Sequence, residues 1–416
     1  MRLAVDVSSL RESRDLRRLV AGTFVTGMGT QAALVALPYQ LFIQTRSAFL
    51  TGLLGAVELV PLVTLALVGG AIADRMDRRR LLLIDQIALV LCSAALALAA
   101  FAFDEAPVPL LYGLGGLLAG FGAIQNVTRS AIVPNLVKPE KLRSALAMNF
   151  GLSSLTLVIG PGLGGLLIAA TSVGWAYVID GVSCLAMVWA LVVMAPQPPT
   201  GAHAAISIRA SIGEGLTFVR KNQSLMGSFA IDLLAMTFGM PRALFAVLAV
   251  EVYGAGASGT GLLYAAVAAG ATIAALTTGW LEHARRLGVI VVGAVIVWGL
   301  AIAGAGVVSA LWPAALMLFV AGAADSVSAV CRSTINQTVT PDAMRGRMSS
   351  VFSLVVTSGP RLGDIEAGAV AGLTTPRFSV ASGGLACVAG VGLILLAFPA
   401  LWRYDADEEI ERLRRA

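Results

Sequence analysis

Among the ionisable side chains inside long apolar runs, Glu58, Asp232, Arg242, Asp325, Arg361, Asp364 and Glu366 stand out. A charged group at the centre of a bilayer costs about 2.5–3.5 kcal/mol or more, so each is a candidate for function by default. The chemistry open to a carboxyl in such a place is proton binding. Low dielectric favours the neutral acid, and an approaching arginine or water favours the carboxylate. Glu58 is the first candidate, because no basic residue neighbours it in sequence, and Asp232 is the second. Arg361 and Asp364 stand at i, i+3 on one helix face and can form an ion pair. That pair would hold Asp364 ionised and give it a structural or gating role as an alternative to proton coupling. Asp232 and Arg242 are ten residues apart, roughly 15 Å along a straight helix, so each needs another partner. For all of these residues a satisfied structural network is the competing reading.

Composition sets the elements that must hold these groups. The chain has 416 residues, 57% hydrophobic and 13% charged, with mean hydropathy +0.85. A soluble protein carries about twice that charged fraction. Lipid leaves backbone groups no partner except a helix or a closed barrel, and the apolar runs are too long for barrel strands. The expected fold is therefore an all-α polytopic membrane protein. Runs of roughly 20 apolar residues predict twelve transmembrane helices, at 18–43, 51–73, 81–103, 108–130, 143–170, 174–195, 225–251, 258–281, 287–308, 312–333, 347–373 and 378–402. No cleavable signal peptide is expected, since residues 1–17 are polar and basic and the first apolar run is too long for a signal core. Glu58 precedes Asp74 by sixteen residues, roughly 24 Å from the inner end of its helix.

The net charge of +5 fits basic residues retained on one side of a membrane better than a nucleic-acid footprint. Of 29 lysines and arginines, 25 fall in the N-terminal tail, alternate loops, the central linker and the C-terminal tail. Arg332, at the end of span 10, belongs to that group. Only Arg46 and Arg377 fall on the other side, while Arg242 and Arg361 lie within spans. This bias places both termini in the cytoplasm and the chain in the inner (plasma) membrane.

The layout divides as six spans in 1–195, a cytoplasmic linker over 196–224, and six more spans with a tail over 225–416. Pro196-Gln197-Pro198-Pro199-Thr200-Gly201 ends the sixth helix. Ile208, Ile212, Leu216 and Val219 then recur at helical spacing among Arg209, Glu214, Arg220 and Lys221. That pattern fits an amphipathic helix on the inner leaflet, or a connector packed against the cytoplasmic helix ends. Between spans 2 and 3 runs Gly70-Ala71-Ile72-Ala73-Asp74-Arg75-Met76-Asp77-Arg78-Arg79, an acid and an arginine cluster that require a tight turn at the membrane surface. A degraded counterpart, Gly279-Trp280-Leu281-Glu282-His283-Ala284-Arg285-Arg286, follows span 8. Matching elements in two halves are what duplicated transporter halves leave.

Twelve spans, the two six-helix halves and Gly-x-x-x-Asp-Arg-x-x-Arg-Arg after span 2 resemble the major facilitator superfamily. The family pattern has glycine where this chain has Asp77, so the turn is expected to form without a residue suited to positive φ. Gly160-Pro161-Gly162-Leu163-Gly164-Gly165 in span 5 is similar to the antiporter signature of that superfamily, with Thr156 in place of an upstream glycine. Gly261-Leu262-Leu263-Tyr264-Ala265-Ala266, Thr340-Pro341-Asp342-Ala343-Met344-Arg345-Gly346-Arg347, Gly363-Asp364 and Arg242 resemble the enterobactin-exporter-like branch. The resemblance implies the major facilitator fold, alternating access, and export of a small amphipathic solute, a siderophore or drug, by proton antiport. It also implies that Asp74 is one side of a clamp closing the inner gate, facing a helix N-terminus or an arginine of the other half, with Arg129 and Arg345 or Arg347 as candidate partners. Plain topological retention is the other reading of the turn, and the favoured one for its arginines, Arg75, Arg78 and Arg79.

By the same resemblance spans 1, 4, 7 and 10 form the central cavity. Gln31, Arg242 and Phe238 are then the expected substrate contacts, with Thr26, Tyr39, Gln40, Gln125, Asn126, Met236, Met240, Asn336 and Gln337 as further lining. Ordinary helix packing competes for the aromatic and methionine positions. The four cysteines lack metal or disulfide spacing, and no phosphate-binding glycine loop appears, so neither a metal nor a cofactor is expected. The expected partners are a small-molecule substrate, protons and lipid, with no nucleic acid, and the chain is expected to act as a monomer. It is not expected to be an enzyme. An importer or facilitator of the same fold, or a non-transporting membrane sensor, are the alternatives.

Overall fold

The computed structural model describes residues 13–73, 75–137, 141–198, 208–341 and 344–406, and among them all regular structure is helical. The helices are α1 Arg14–Thr45, α2 Ala48–Ala73, α3 Arg78–Ala102, α4 Val108–Ile132, α5 Leu142–Ala170, α6 Val173–Val192, α7 Ile208–Lys221, α8 Gln223–Phe238, α9 Leu244–Val247, α10 Gly256–Thr277, α11 Leu287–Val307, α12 Leu311–Val339, α13 Arg345–Leu373, α14 Pro376–Ala397 and α15 Pro399–Trp402. Ten of the helical segments are long and apolar enough to cross a membrane. The twelve spans are completed by α8 with α9, and by α13, whose internal charges lower its hydropathy.

Three boundaries differ from the sequence expectation for physical reasons. Helix α1 starts early because Ser13 caps it, accepting the Leu16 N–H at 3.1 Å. Helix α12 runs on to Val339, six residues beyond the expected span, which puts Arg332 inside a helix and not in a loop. Span 7, expected to be continuous over 225–251, is broken. Helix α8 stops at Phe238, α9 starts at Leu244, and a π turn follows over Leu248–Val252. Pro241 cannot donate a backbone hydrogen bond and its ring crowds the preceding turn.

The chain forms two compact units. The first comprises Met1–Arg46, Val57–His203 and Ala255–Ala265, and the second Ser47–Ala56, Ala204–Gly254 and Ala266–Ala416. In the first, α1 packs on α5 and α6, and α3 packs on α4 and α6. Its core includes Leu16, Leu19, Val20, Leu82, Ile132 and Met187. In the second, α11 packs on α12 and α14 while α13 packs on α8. Its core includes Val291, Val295, Ile335 and Cys387.

The span-5 motif is a packing device in the first unit. A side chain at Gly160 would fall 2.6 Å from Gln31 Cβ, and one at Gly164 would fall 2.7 Å from Ala32 Cα, so α5 and α1 touch backbone to side chain. A side chain at Gly165 would lie 2.9 Å from Gly261 Cα, so two separately noticed segments are one helix crossing. Thr156 is accommodated because Gly27 faces it on α1, with space for a Cβ only 3.2 Å from its methyl.

The amphipathic segment is α7. Val219 is buried in the core of the second unit with Phe218 packed beside it, and Glu214 pairs with Arg347 of α13 at 2.9 Å. These contacts match a connector packed on the helix ends.

Candidate functional site

In the second unit, Asp232 on α8 and Asp325 on α12 share one arginine. Arg332 Nη1 lies 2.7 Å from Asp232 Oδ1, and Arg332 Nη2 lies 3.5 Å from Asp325 Oδ1. Arg332 is 3% exposed and Asp232 2%, whereas the Asp325 side chain is 25% exposed. The close Asp232 contact is a charge contact, since neither atom makes a well-aligned hydrogen bond. The partner Asp232 needs is therefore Arg332, and the assignment of Arg332 to the cytoplasmic charge belt is corrected. It is a buried counter-ion, and the bias rests on the other residues.

The break in span 7 is held by two other helices. Trp298 of α11 donates its indole N–H to the Gly239 carbonyl at 2.7 Å, closing the end of α8. Asp364 of α13 accepts the Ala243 N–H at 2.7 Å, at the start of α9. Backbone groups freed by a break inside a membrane need such partners. Gly363 allows the approach, since a side chain there would fall 3.2 Å from the Thr237 and Met240 carbonyls. The Gly363-Asp364 segment is thereby explained as the part of α13 that seats the broken helix.

Arg361 Nη1 lies 3.7 Å from Asp364 Oδ2, so Asp364 serves both the arginine and the backbone. Arg242, half-buried at the break, acts electrostatically on Asp325 and Asp364. Arg242 thus acts on one acid of the Arg332 set and on the acid of the Arg361 pair. Phe238 is partly buried against the unit's core. Met236 and Met240, at 7% and 4% exposed, are packing residues rather than lining, with Met236 seated over Gly359 of α13. Past the end of the span, Tyr253 donates to the Ala305 carbonyl at 3.0 Å. Burial raises its phenol above the ordinary pKa, with Arg377 opposing.

In the first unit, Glu58 is 7% exposed on α2, and Gln31 is half-buried against Gly160. Gln40 and Thr26 are corrected from cavity lining to interior partners. Tyr177 donates to Gln40 Oε1 at 2.8 Å, and Thr26 donates to the Ser183 carbonyl at 3.0 Å. Two buried acids escaped the sequence reading although each sits within an apolar run. Asp180 accepts from Ser93 at 2.6 Å and Thr30 at 3.2 Å. Asp85, on α3, is 2% exposed.

The basic turn is a set of helix caps. Asp77 has φ −53°, so no positive φ is required where the family has glycine. Its carboxylate caps α3, accepting from the Arg79 and Arg80 N–H groups at 2.8 and 3.3 Å. Arg78 donates to the Ala131 carbonyl at the end of α4 at 3.0 Å. Arg79 donates to the Leu191 and Val192 carbonyls ending α6 at 2.6 and 2.7 Å. Cations at helix C-termini satisfy orphan carbonyls and complement the dipole. Arg75 is exposed and Gly70 half-buried. Asp74 lies outside the described residues.

Residues 19–363 match the family model described as Major Facilitator Superfamily. The chain is 29% identical over 398 residues to a protein of Citrobacter koseri named enterobactin exporter EntS, covering 94% of this chain and 93% of that one. It is 29% identical over 406 residues to the enterobactin exporter EntS of Shigella boydii serotype 4, covering 96% and 95%. Among solved structures it resembles a POT family transporter in complex with 5-aminolevulinic acid, with TM-score 0.74 at 11% identity over 94% of this chain and 97% of that one. It also resembles the nucleoside transporter NupG (D323A mutant), with TM-score 0.74 at 12% identity over 93% of this chain and all of the other. At those identities the structures speak for the fold alone.

Proposed function

The chain belongs to the Major Facilitator Superfamily, and from that premise we propose that it is a proton-coupled antiporter exporting a small amphipathic solute of the siderophore class. The observation that carries the reading is the Arg332 set. Buried charge is expensive and is retained where it works. Two carboxylates share Arg332, and Arg242 acts on one of them, Asp325, so either acid can take up a proton while the other keeps a cation. Proton uptake would loosen Arg332 from one acid, and proton loss would restore the pair. The set lies in the same unit as a broken helix, the feature that marks binding sites in transporters of duplicated architecture. Arg242 at that break presents a cation to an oxygen-rich solute, and Phe238 and Gln31 remain its proposed neighbours.

Export and the siderophore class are taken from the names of the relatives. Glu58 is the proposed proton carrier of the first unit, and Asp74 the proposed gate residue of the basic turn. The charge bias supports an inner-membrane protein with both termini in the cytoplasm; a monomer is the proposed working unit. The test is uptake of labelled enterobactin by proteoliposomes that are acidic inside. Uptake should follow the gradient in the wild type and fall to background in Asp232→Asn or Glu58→Gln. Uptake unchanged in both variants would remove the coupling assignment, and gradient-independent uptake would make the protein a facilitator.

A further inference from the structure

The first unit contains a buried polar layer that the coupling scheme above does not use. On α3, Asp85 is 2% exposed and Gln86 is fully buried. No well-aligned hydrogen bond reaches either carboxylate oxygen of Asp85 or either amide atom of Gln86, and the one polar side chain that acts on the Asp85 carboxyl is the neighbouring Gln86 amide. Two hydroxyls share this condition, Thr23 on α1 at 6% exposed and Thr128 on α4 at 0%.

Packing puts these groups at one depth. Leu82 of α3, Leu19 of α1, Ile132 of α4 and Met187 of α6 belong to one buried apolar cluster. One helical turn on, four residues from each, stand Gln86, Thr23, Thr128 and Ser183. The Asp85 carboxyl acts electrostatically on Cys184 of α6, the neighbour of Ser183 in this layer. Further along, Asp180 sits with Ser93 and Thr30, which are two turns beyond Gln86 and Thr23 on their own helices.

The contrast between the two acids is the argument. Asp180 is met by two hydroxyl donors, while Asp85 is met by none and by no cation among the described residues. The charged and titratable groups around Asp85 are accounted for. Arg78, on its own helix and two turns away, donates from Nη1 to the Ala131 carbonyl, with its Nε buried and unbonded. Arg129 on α4 reaches Asn126 at 3.5 Å, Arg18 on α1 is paired with Asp15 at 3.0 Å, and α6 offers only Asp180 and the Cys184 thiol. An ionised carboxylate without a counter-ion is not sustained in such an interior. A neutral carboxyl has one donor and one acceptor, which suits a layer of one amide and two hydroxyls.

We propose that Asp85 is a proton-binding site of the first unit, distinct from the Arg332 set of the second. Its part in transport rests on the proton-coupled reading, but its protonation does not. Infrared spectra of the purified full-length protein in lipid nanodiscs test it without any substrate. The wild type should show the carbonyl stretch of a protonated carboxyl, shifted in D2O and bleached on alkaline titration. That band component should vanish in Asp85→Asn, persist in Asp232→Asn, and reappear at a different frequency in Asp85→Glu. A wild type with no titrating carboxyl band, or a band unchanged in Asp85→Asn, would overturn the proposal. Bleaching by added sodium at fixed pH would also overturn it and make the layer a metal-cation site. If the band behaves as expected while enterobactin uptake ignores the pH gradient, the coupling reading fails and the protonation site stands.

Discussion

Arg332 Nη1 lies 2.7 Å from Asp232 Oδ1 inside the second unit, both residues almost wholly withdrawn from solvent. Removing one partner of such a pair leaves an uncompensated buried charge and costs about 3–5 kcal/mol. Arg332→Gln should therefore lower the thermal midpoint of the purified protein strongly. Asp232→Asn should lower it less, because Asp325 still faces the arginine at 3.5 Å. The double variant should recover part of the loss, as coupled neighbours do. Equal damage from Arg332→Gln in both backgrounds would mean that the two side chains do not depend on each other.

Trp298 and Asp364 should separate by chemistry at the helix break. Trp298→Phe keeps a ring but strands the Gly239 carbonyl, an acceptor left unpaired at a cost of about 1–3 kcal/mol. Asp364→Asn keeps an oxygen for the Ala243 N–H and should hold the break, whereas Asp364→Ala should not. Thermal midpoints rank the three variants. Enterobactin uptake by Asp364→Asn then reports whether the Asp364 charge is needed beyond its hydrogen bond, since the fold would be preserved.

Within the span-5 motif the glycines are not equivalent. A Cβ at Gly162 meets nothing nearer than Ala265 Cβ at 3.8 Å, while one at Gly165 lies 2.9 Å from Gly261 Cα. Gly162→Ala should be silent. Gly165→Ala should force the α5–α10 crossing apart and destabilise by about 1–3 kcal/mol, the usual range for overpacking. Comparable midpoints for the two variants would show that the crossing relaxes freely.

The spans were legible because lipid permits so few solutions for the backbone. What the chain does with charge inside them was legible only in part. Arg332 was misplaced because its helix outruns the apolar stretch, and apolar length is a poor guide to a helix end that packs on protein. The break at Gly239–Arg242 carried a proline, but Pro38, Pro61, Pro161 and Pro360 sit inside unbroken helices. The difference is made by Trp298 and Asp364, which come from helices far along the chain. Asp85 and Asp180 were visible as acids in apolar runs. Only tertiary packing separates the one with hydroxyl partners from the one without.

Arg79 offers a way to separate retention from capping in the basic turn. Its guanidinium donates through Nε and Nη2 to two successive carbonyls ending α6, a fork that lysine cannot reproduce. Arg79→Lys keeps the charge, so cysteine-accessibility mapping of loop orientation should be unchanged. The α6 terminus nonetheless loses one of its two donors, and hydrogen bonds to charged groups contribute about 1.5–3 kcal/mol when sheltered. Because Arg79 is only partly buried, solvent screening brings the expected loss to about 1 kcal/mol. A thermal midpoint equal to the wild type would reduce Arg79 to a topological charge. A lowered midpoint with unchanged orientation would make it a structural cap that also happens to be basic.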